Sequence, residues 1–357
     1  MTIEYCSLSG ASSNALGLED CKIRALRTNP CSAGDQQVAA VIGKVDEEVA
    51  GSEVVFPLRI KFGDREVEAL AGSGLNVKEK FRKSGLGLEL PDLRWQAARS
   101  KIGIGAGLSQ MALPVHQFAD YDVFLMPRQI MLWKSRSVVE MKLHGVVQKA
   151  VSATVDLAIW MYAHGVGALA AWKLRGVSFR EVSADDSNTL DQIAGLVAAN
   201  PHRCAEVHDV GWLKWHMTES FSGGASARVF AMEKDGVLCG FYMTKSRFYK
   251  QASHRGFKNV WLGSIIEWEC SPEAGGLRNW MLLRAALQLR REGMDAVEIA
   301  NDDAGLQKFL ARIGWRTVGE GNFVIKCGEG SGFENADWIH QQTNWRLRPA
   351  MGDNGIT

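Results

Sequence analysis

Arg82-Lys83-Ser84-Gly85-Leu86-Gly87 is the stretch on which the reading of this chain turns. It follows a segment rich in β-formers that ends at Val77 and precedes one that reads as a helix. A strand, a tight glycine turn and a helix start leave several backbone N–H groups unpaired and aimed at one point. The partial positive charge of the helix N-terminus falls on the same point, so the run reads as a site for a phosphate or pyrophosphate. Gly85 and Gly87 remove the Cβ atoms that would hold an anion away from the backbone. Arg82 adds a permanent charge at the mouth of the turn.

The same six residues satisfy the pattern Q/R-x-x-G-x-G/A. With the preceding Leu75-Asn76-Val77-Lys78-Glu79-Lys80-Phe81 they resemble the fourth strand and pyrophosphate loop of the GNAT superfamily of acyl-CoA N-acyltransferases. The resemblance implies that Arg82, Lys83, Ser84, Gly85, Leu86 and Gly87 bind the pyrophosphate of acetyl-CoA or another acyl-CoA. It also implies that the Val77 N–H holds the thioester carbonyl. The implied activity is transfer of an acetyl or other acyl group to an amine of a small metabolite or sugar. Two other readings stay open: an aminoacyl transferase of the Fem type, which takes aminoacyl-tRNA, and a non-catalytic acyl-CoA-binding protein.

Working outward, Cys21 to Leu26 reads as a short strand and Gln36 to Val49 as a helix. Val54 to Phe62 and Val67 to Val77 read as strands around a hairpin turn at Gly63-Asp64. Leu88 to Lys101 reads as a helix with Pro91 in its first turn, Ile102 to Ala106 as a strand and Ser109 to Ala119 as a helix. Tyr121 to Leu132 reads as two short strands broken at Pro127. A second series follows: strand 177–182, helix 187–199, strands 227–232 and 237–246 around Lys234-Asp235-Gly236, strand 260–270, helix 277–292, strand 296–300, helix 304–313 and strand 314–325. The expected class is an α/β fold with mixed sheets, as two GNAT-like domains in tandem. The first spans 1–145, a buried connecting helix 146–175, and the second 176–357. The second copy has Glu273-Ala274-Gly275-Gly276-Leu277-Arg278 where the pyrophosphate pattern would stand. Asp337-Trp338 and Gly352-Asp353-Asn354-Gly355 read as a C-terminal strap.

The chain has 357 residues, 46% of them hydrophobic and 23% charged, enough for two cores without covalent staples. A net charge of +1, with no basic stripe interleaved with aromatics, argues against nucleic acid as the partner. Seven cysteines without C-x-x-C spacing fit reduced thiols, and no export signal is visible at the start, so a cytoplasmic location is expected. Val151 to Ala171 is mostly apolar, but Asp156 and His164 interrupt it, and no membrane span is expected. The histidines are too scattered for a metal site.

Amide formation from a thioester needs a base for the amine, a donor for the oxyanion and an acid for the departing thiolate. The resemblance places His116 where the family often has a tyrosine acid, with Tyr121 as a second candidate. The base is less well marked: Glu68, Glu66, Asp64 and Ser73 lie in or near the hairpin strand. In the second copy Leu310 stands at the acid position. Glu267 and Glu269, two apart on a strand, share one face and are candidates for binding the amine acceptor.

Overall fold

The computed structural model describes residues 1–9, 20–34, 37–97, 102–108, 112–135, 145–219, 225–250, 259–328, 331, 333 and 336–351. Strand β1 (Thr2–Ser7) is followed by helix α1 (Asp20–Arg27) and strand β2 (Val38–Val45). The expected strand at 21–26 and helix at 36–49 are therefore reversed. In 21–26 the buried Ile23, Ala25 and Leu26 lie on one helical face, with Asp20 opening the helix and Arg24 and Arg27 closing it. β2 is paired on both sides and nearly all buried, so its apolar run lacks the alternation that marks a half-exposed strand.

β3 (Glu48–Phe62) and β4 (Arg65–Val77) form the long hairpin, turning at Gly63 and Asp64 with Gly63 at a φ of +57°. Helix α2 (Leu86–Ala97) then returns along the sheet, and Pro91 lies in its interior because the helix starts at Leu86. β5 (Ile102–Leu108) runs parallel to β4, pairing from Ala69·Ile102 to Gly72·Gly105. Helix α3 (Leu113–Phe118) precedes β6 (Asp122–Leu132), which runs unbroken through Pro127.

Helix α4 (Gly145–Lys173) leads into β7 (Val177–Val182) and α5 (Ser187–Ala198). β8 (Cys204–Glu206) and α6 (Val210–Thr218) were not expected from the sequence. The hairpin of β9 (Arg228–Lys234) and β10 (Val237–Tyr249) turns at Asp235-Gly236, both with positive φ. β11 (Val260–Cys270), helix α7 (Arg278–Arg291), β12 (Ala296–Ala300), helix α8 (Ala304–Arg312) and β13 (Arg316–Cys327) follow, with a short β14 (Trp345–Arg346) after them. Asp337-Trp338 lies in a short 3-10 turn, and the 352–355 turn lies outside the described residues.

The chain divides into two compact units. The first is Met1–Met126, Ala198–Gly223 and Glu320–Thr357; the second is Pro127–Val197 and Gly224–Gly319. This cut differs from consecutive domains at 1–145 and 176–357. β13 comes late in the chain yet pairs antiparallel with β5, Ile325 opposite Ile104, which draws 320–357 to the first unit. The second half of β6 pairs with β12, Met131 opposite Val297, which draws 127–197 to the second. In the first unit the strands run in the order β1-β2-β3-β4-β5-β13; in the second, β12-β11-β10-β9-β7. Each unit thus holds a parallel pair, β4·β5 or β11·β12, whose first member outruns its partner. The core of the second unit gathers Trp268, Tyr242, Ile299 and Leu310 beneath α7 and α8. Helix α4 exists as expected, but only the stripe through Ala163 and Ala170 is buried. No described helix is long and apolar enough to cross a membrane.

Candidate functional site

β4 and β5 stop pairing at Gly72·Gly105, while β4 runs on to Val77. Gly74, at a φ of +63°, lies in a bulge that lets β4 part from β5 while it stays paired to β3. At the strand end the Lys78 N–H donates to the Ala50 carbonyl at 2.8 Å, which makes Gly51·Val77 a non-hydrogen-bonded pair. In an antiparallel ladder such a residue turns its N–H away from its partner strand. The Val77 N–H therefore points away from β3, toward the side on which β4 pairs with β5 earlier along the strand. The Val77 carbonyl, on the same side, accepts from Arg82 Nε at 3.3 Å.

The loop beyond is shaped by three local bonds. Arg82 and Ser84 donate their N–H groups to Glu79 and Phe81, and Leu88 donates to Gly85, itself at a φ of +84°. The N–H groups of Lys83, Gly85 and Gly87 have no acceptor among the described residues, and the Leu86 N–H has only a long contact to Ser84 Oγ. These donors surround the first turn of α2, an arrangement suited to an anion. Lys80 and then Lys78 hold the Glu48 carboxyl below its ordinary range, and Arg82 and Lys83 remain exposed.

Leu86 has a different part from its neighbours. Its side chain is fully buried on Gly43 and Gly51, where a Cβ at Gly43 would come within 2.3 Å of Leu86 Cδ1. Two glycines on the sheet thus seat the helix whose N-terminus forms the loop. The side chain of Leu86 is an anchor for the loop and is turned away from any ligand.

His116 is buried on α3. Its Nδ1 lies 2.9 Å from the Ala112 carbonyl, which can only accept, so Nδ1 carries a hydrogen. Nε2 faces β5, 3.8 Å from where a Cβ of Gly105 would stand. His116 therefore lies at the level where the pairing of β4 with β5 stops. Val77 is about 13 Å further along, since β3 advances four residues between the partners of Gly72 and Val77.

The Tyr121 hydroxyl donates to the Pro91 carbonyl at 3.2 Å, and its ring meets His116 edge-on. Glu68 is exposed and stands opposite Arg59, nine residues before Val77 on an extended strand, roughly 30 Å away. That distance removes it as a base for chemistry at Val77. Glu66 pairs with Arg59 at the same far end.

The second unit repeats the geometry with other occupants. The Ser271 N–H donates to the Cys239 carbonyl, so Cys270 and Trp268 turn their N–H groups away from β10, as Val77 turns from β3. Here the donors are taken. The Trp268 N–H donates to Glu267 Oε1 at 2.8 Å, and the Cys270 N–H to Glu269 Oε1 at 3.2 Å. Glu273, in the following turn, has its carboxyl held below the ordinary range by its own backbone N–H and then by the Ser271 hydroxyl. Arg278 is engaged by Asp303 at 2.6 Å. Glu267 is 0% exposed. The expected acceptor-binding pair is thus a pair of carboxylates turned onto their own strand. Burial pushes the Cys270 thiol up to about 12, which keeps it neutral. At the position expected for an acid, Leu310 is buried in the core.

Neither family models nor curated proteins match this sequence. Solved structures do. A GCN5-related N-acetyltransferase from Anabaena variabilis is similar at a TM-score of 0.52 and 10% identity, covering 91% of this chain and 73% of that one. Saccharomyces cerevisiae N-myristoyltransferase, solved with bound myristoyl-CoA, is similar at a TM-score of 0.57 and 12% identity, covering 91% and 79%. A second structure of that yeast enzyme with myristoyl-CoA gives 0.56 and 11%, covering 90% and 82%. The chain has the GNAT fold, built as two GNAT-like units with mixed sheets.

Proposed function

We propose that this chain is an acyl-CoA-dependent N-acyltransferase that binds its acyl-CoA at the end of β4 and transfers the acyl group to an amine of a small molecule. The observation that carries this reading is the Val77 N–H, turned away from β3 and followed six to ten residues later by the N–H groups of Lys83, Gly85 and Gly87, which have no acceptor among the described residues. A thioester carbonyl at Val77 and a pyrophosphate at the loop are the two acceptors of one acyl-CoA. Arg82 and Lys83 supply the countercharge.

In this mechanism the amine nitrogen attacks the thioester carbon and the Val77 N–H stabilises the oxyanion. The C–S bond then breaks, and the proton lost by the amine ends on the thiolate. His116, about 13 Å along the strand from Val77, is too far to exchange a proton with the thioester directly, and it bounds the site on the side away from the pyrophosphate loop. The thioester and its acyl group lie between Val77 and His116. An acetyl or a longer acyl group is accommodated by this reading, and the acceptor is a small metabolite or sugar amine in a cytoplasmic setting.

The test is calorimetric titration with CoA. Gly85→Asp places a side chain and a negative charge among the loop donors, at a residue whose positive φ already disfavours a Cβ. Charge-assisted hydrogen bonds contribute roughly 1.5–3 kcal/mol each, so losing two weakens CoA binding about a hundredfold or more. Unchanged affinity would sink the assignment. Thiol release with a panel of amines then separates an enzyme from a sensor.

A further inference from the structure

The hairpin of β10 and β11 carries charge of one sign. From Gly236 to Ile266 the sequence has no Asp or Glu, while Lys245, Arg247, Lys250, Arg255 and Lys258 lie within it. Aromatic residues are set among these cations, as in Arg247-Phe248-Tyr249-Lys250. The expected absence of a basic stripe interleaved with aromatics therefore does not hold here: a net charge of +1 averages over it. Arg255 and Lys258 lie outside the described residues; Arg247 and Lys250 are exposed.

Strand pairing explains why the end of this hairpin is uncovered. β9 pairs with β10 only as far as Thr244, so β10 outruns it from Lys245 to Tyr249, about 17 Å of strand. β12 joins β11 only from Leu262 onward, which leaves Val260 and Trp261 beyond it. Helix α7, which covers this face, reaches Gly263, where a Cβ would come within 2.9 Å of Leu289 Cδ1. One row beyond Gly263, Phe248 stands opposite Trp261 with ring centroids 5.1 Å apart. These two rings are 42% and 45% exposed. Asp295, beside Trp261, is engaged by Lys134 at 2.7 Å and by the Trp261 N–H at 2.8 Å, so it does not offset the hairpin's cations.

We propose that this hairpin end is a contact for an anionic phospholipid surface. Phe248 and Trp261 enter the headgroup region, and Arg247 and Lys250 meet the headgroup anions. Charge complementarity selects this occupant, since each Lys or Arg near an anionic leaflet strengthens attachment about fivefold. Tryptophan is at home at the membrane–water boundary, where its apolar body and polar tip are both satisfied. A strand end that outruns its neighbours meets a flat surface before the rest of its sheet does. A nucleic acid is disfavoured because its bases stack on open ring faces. Phe248 and Trp261 instead lean on each other at 41° and present a wedge. A second copy is disfavoured because a two-fold contact would set these cations against their own counterparts. The contact does not depend on the acyl-CoA site.

Flotation with vesicles of phosphatidylserine and phosphatidylcholine tests it, with phosphatidylcholine alone as the comparison. The natural chain should float with the anionic vesicles, and less so as salt rises from about 50 to about 500 mM. Arg247→Gln with Lys250→Gln should weaken this binding about 25-fold, roughly fivefold for each cation. Phe248→Ser with Trp261→Ser should weaken it at least about tenfold. Both variants should keep the melting temperature, since all four side chains are exposed. Failure of the natural chain to float, or flotation indifferent to both double substitutions, would overturn the proposal. So would retention on single-stranded RNA and not on vesicles, which would give the hairpin to nucleic acid.

Discussion

The ends of β4 and β11 share one backbone design and differ in what occupies their donors. Both strands outrun a parallel partner, both bulge, and both turn alternate N–H groups away from the preceding strand. At β4 the residues before the terminal donor are Gly74, Leu75 and Asn76, and the Val77 N–H is left outward. At β11 they are Glu267, Trp268 and Glu269, and the two carboxylates fold back onto the Trp268 and Cys270 N–H groups. One strand end leaves its terminal N–H turned outward; the other has supplied its own acceptors. The difference teaches that repeating a fold does not repeat a site. Two side chains adjacent to a donor are enough to spend it.

The largest expected effect comes from removing the donor itself. Val77→Pro deletes an N–H that β3 does not use, so the ladder survives, while loss of an oxyanion donor should lower kcat about 10²–10³-fold. The matching Cys270→Pro should leave kcat unchanged. Steady-state kinetics on both variants would break the comparison if Cys270→Pro were the damaging one.

A smaller effect follows from importing the second unit's device into the first. Asn76→Glu places a carboxylate one residue before Val77, as Glu269 stands before Cys270. It should self-cap the Val77 N–H and lower kcat roughly 10–100-fold, by an amount set by one charge-assisted hydrogen bond. Asn76→Gln controls for size, and an equal loss in both variants would discount the carboxylate.

The smallest effect is a gain. Glu269→Ala with Glu273→Ala frees the Cys270 N–H and the turn behind it. CoA should then bind weakly at a second site, seen by calorimetry as a stoichiometry rising above one per chain. The turn still lacks the arginine and glycine spacing of the first unit, so the gained affinity should remain well below that of the Arg82 loop. No gain at all would mean that the turn geometry, and not the carboxylates, closes this strand end.

How far the sequence carried this reading is visible in particular residues. The hairpin at Gly63-Asp64, the one at Asp235-Gly236 and strand 260–270 were legible because turn chemistry and β-rich runs are local signals. β2 was misread as helix, since a strand buried on both faces shows no period of two. Helix α1 was misread as a strand because six residues are too few for a period of 3.6 to declare itself. The Glu267–Glu269 pair was legible as two carboxylates on one face, but not as groups turned onto their own backbone, because that choice lies in side-chain rotamers.

The sequence by itself determined the loop: Arg82, Gly85 and Gly87 prescribe a left-handed turn opening a helix, and that needs only local sterics. It also determined that the second copy lacks this turn. Only the tertiary structure decided that β13 pairs with β5, so that the units interleave along the chain. Only it decided that Val77 points away from β3 and that Glu68 is a strand-length from the site. Each of these depends on which strand or helix lies alongside, and pairing partners far apart in sequence are fixed by packing and hydrogen-bond register, not by local propensity.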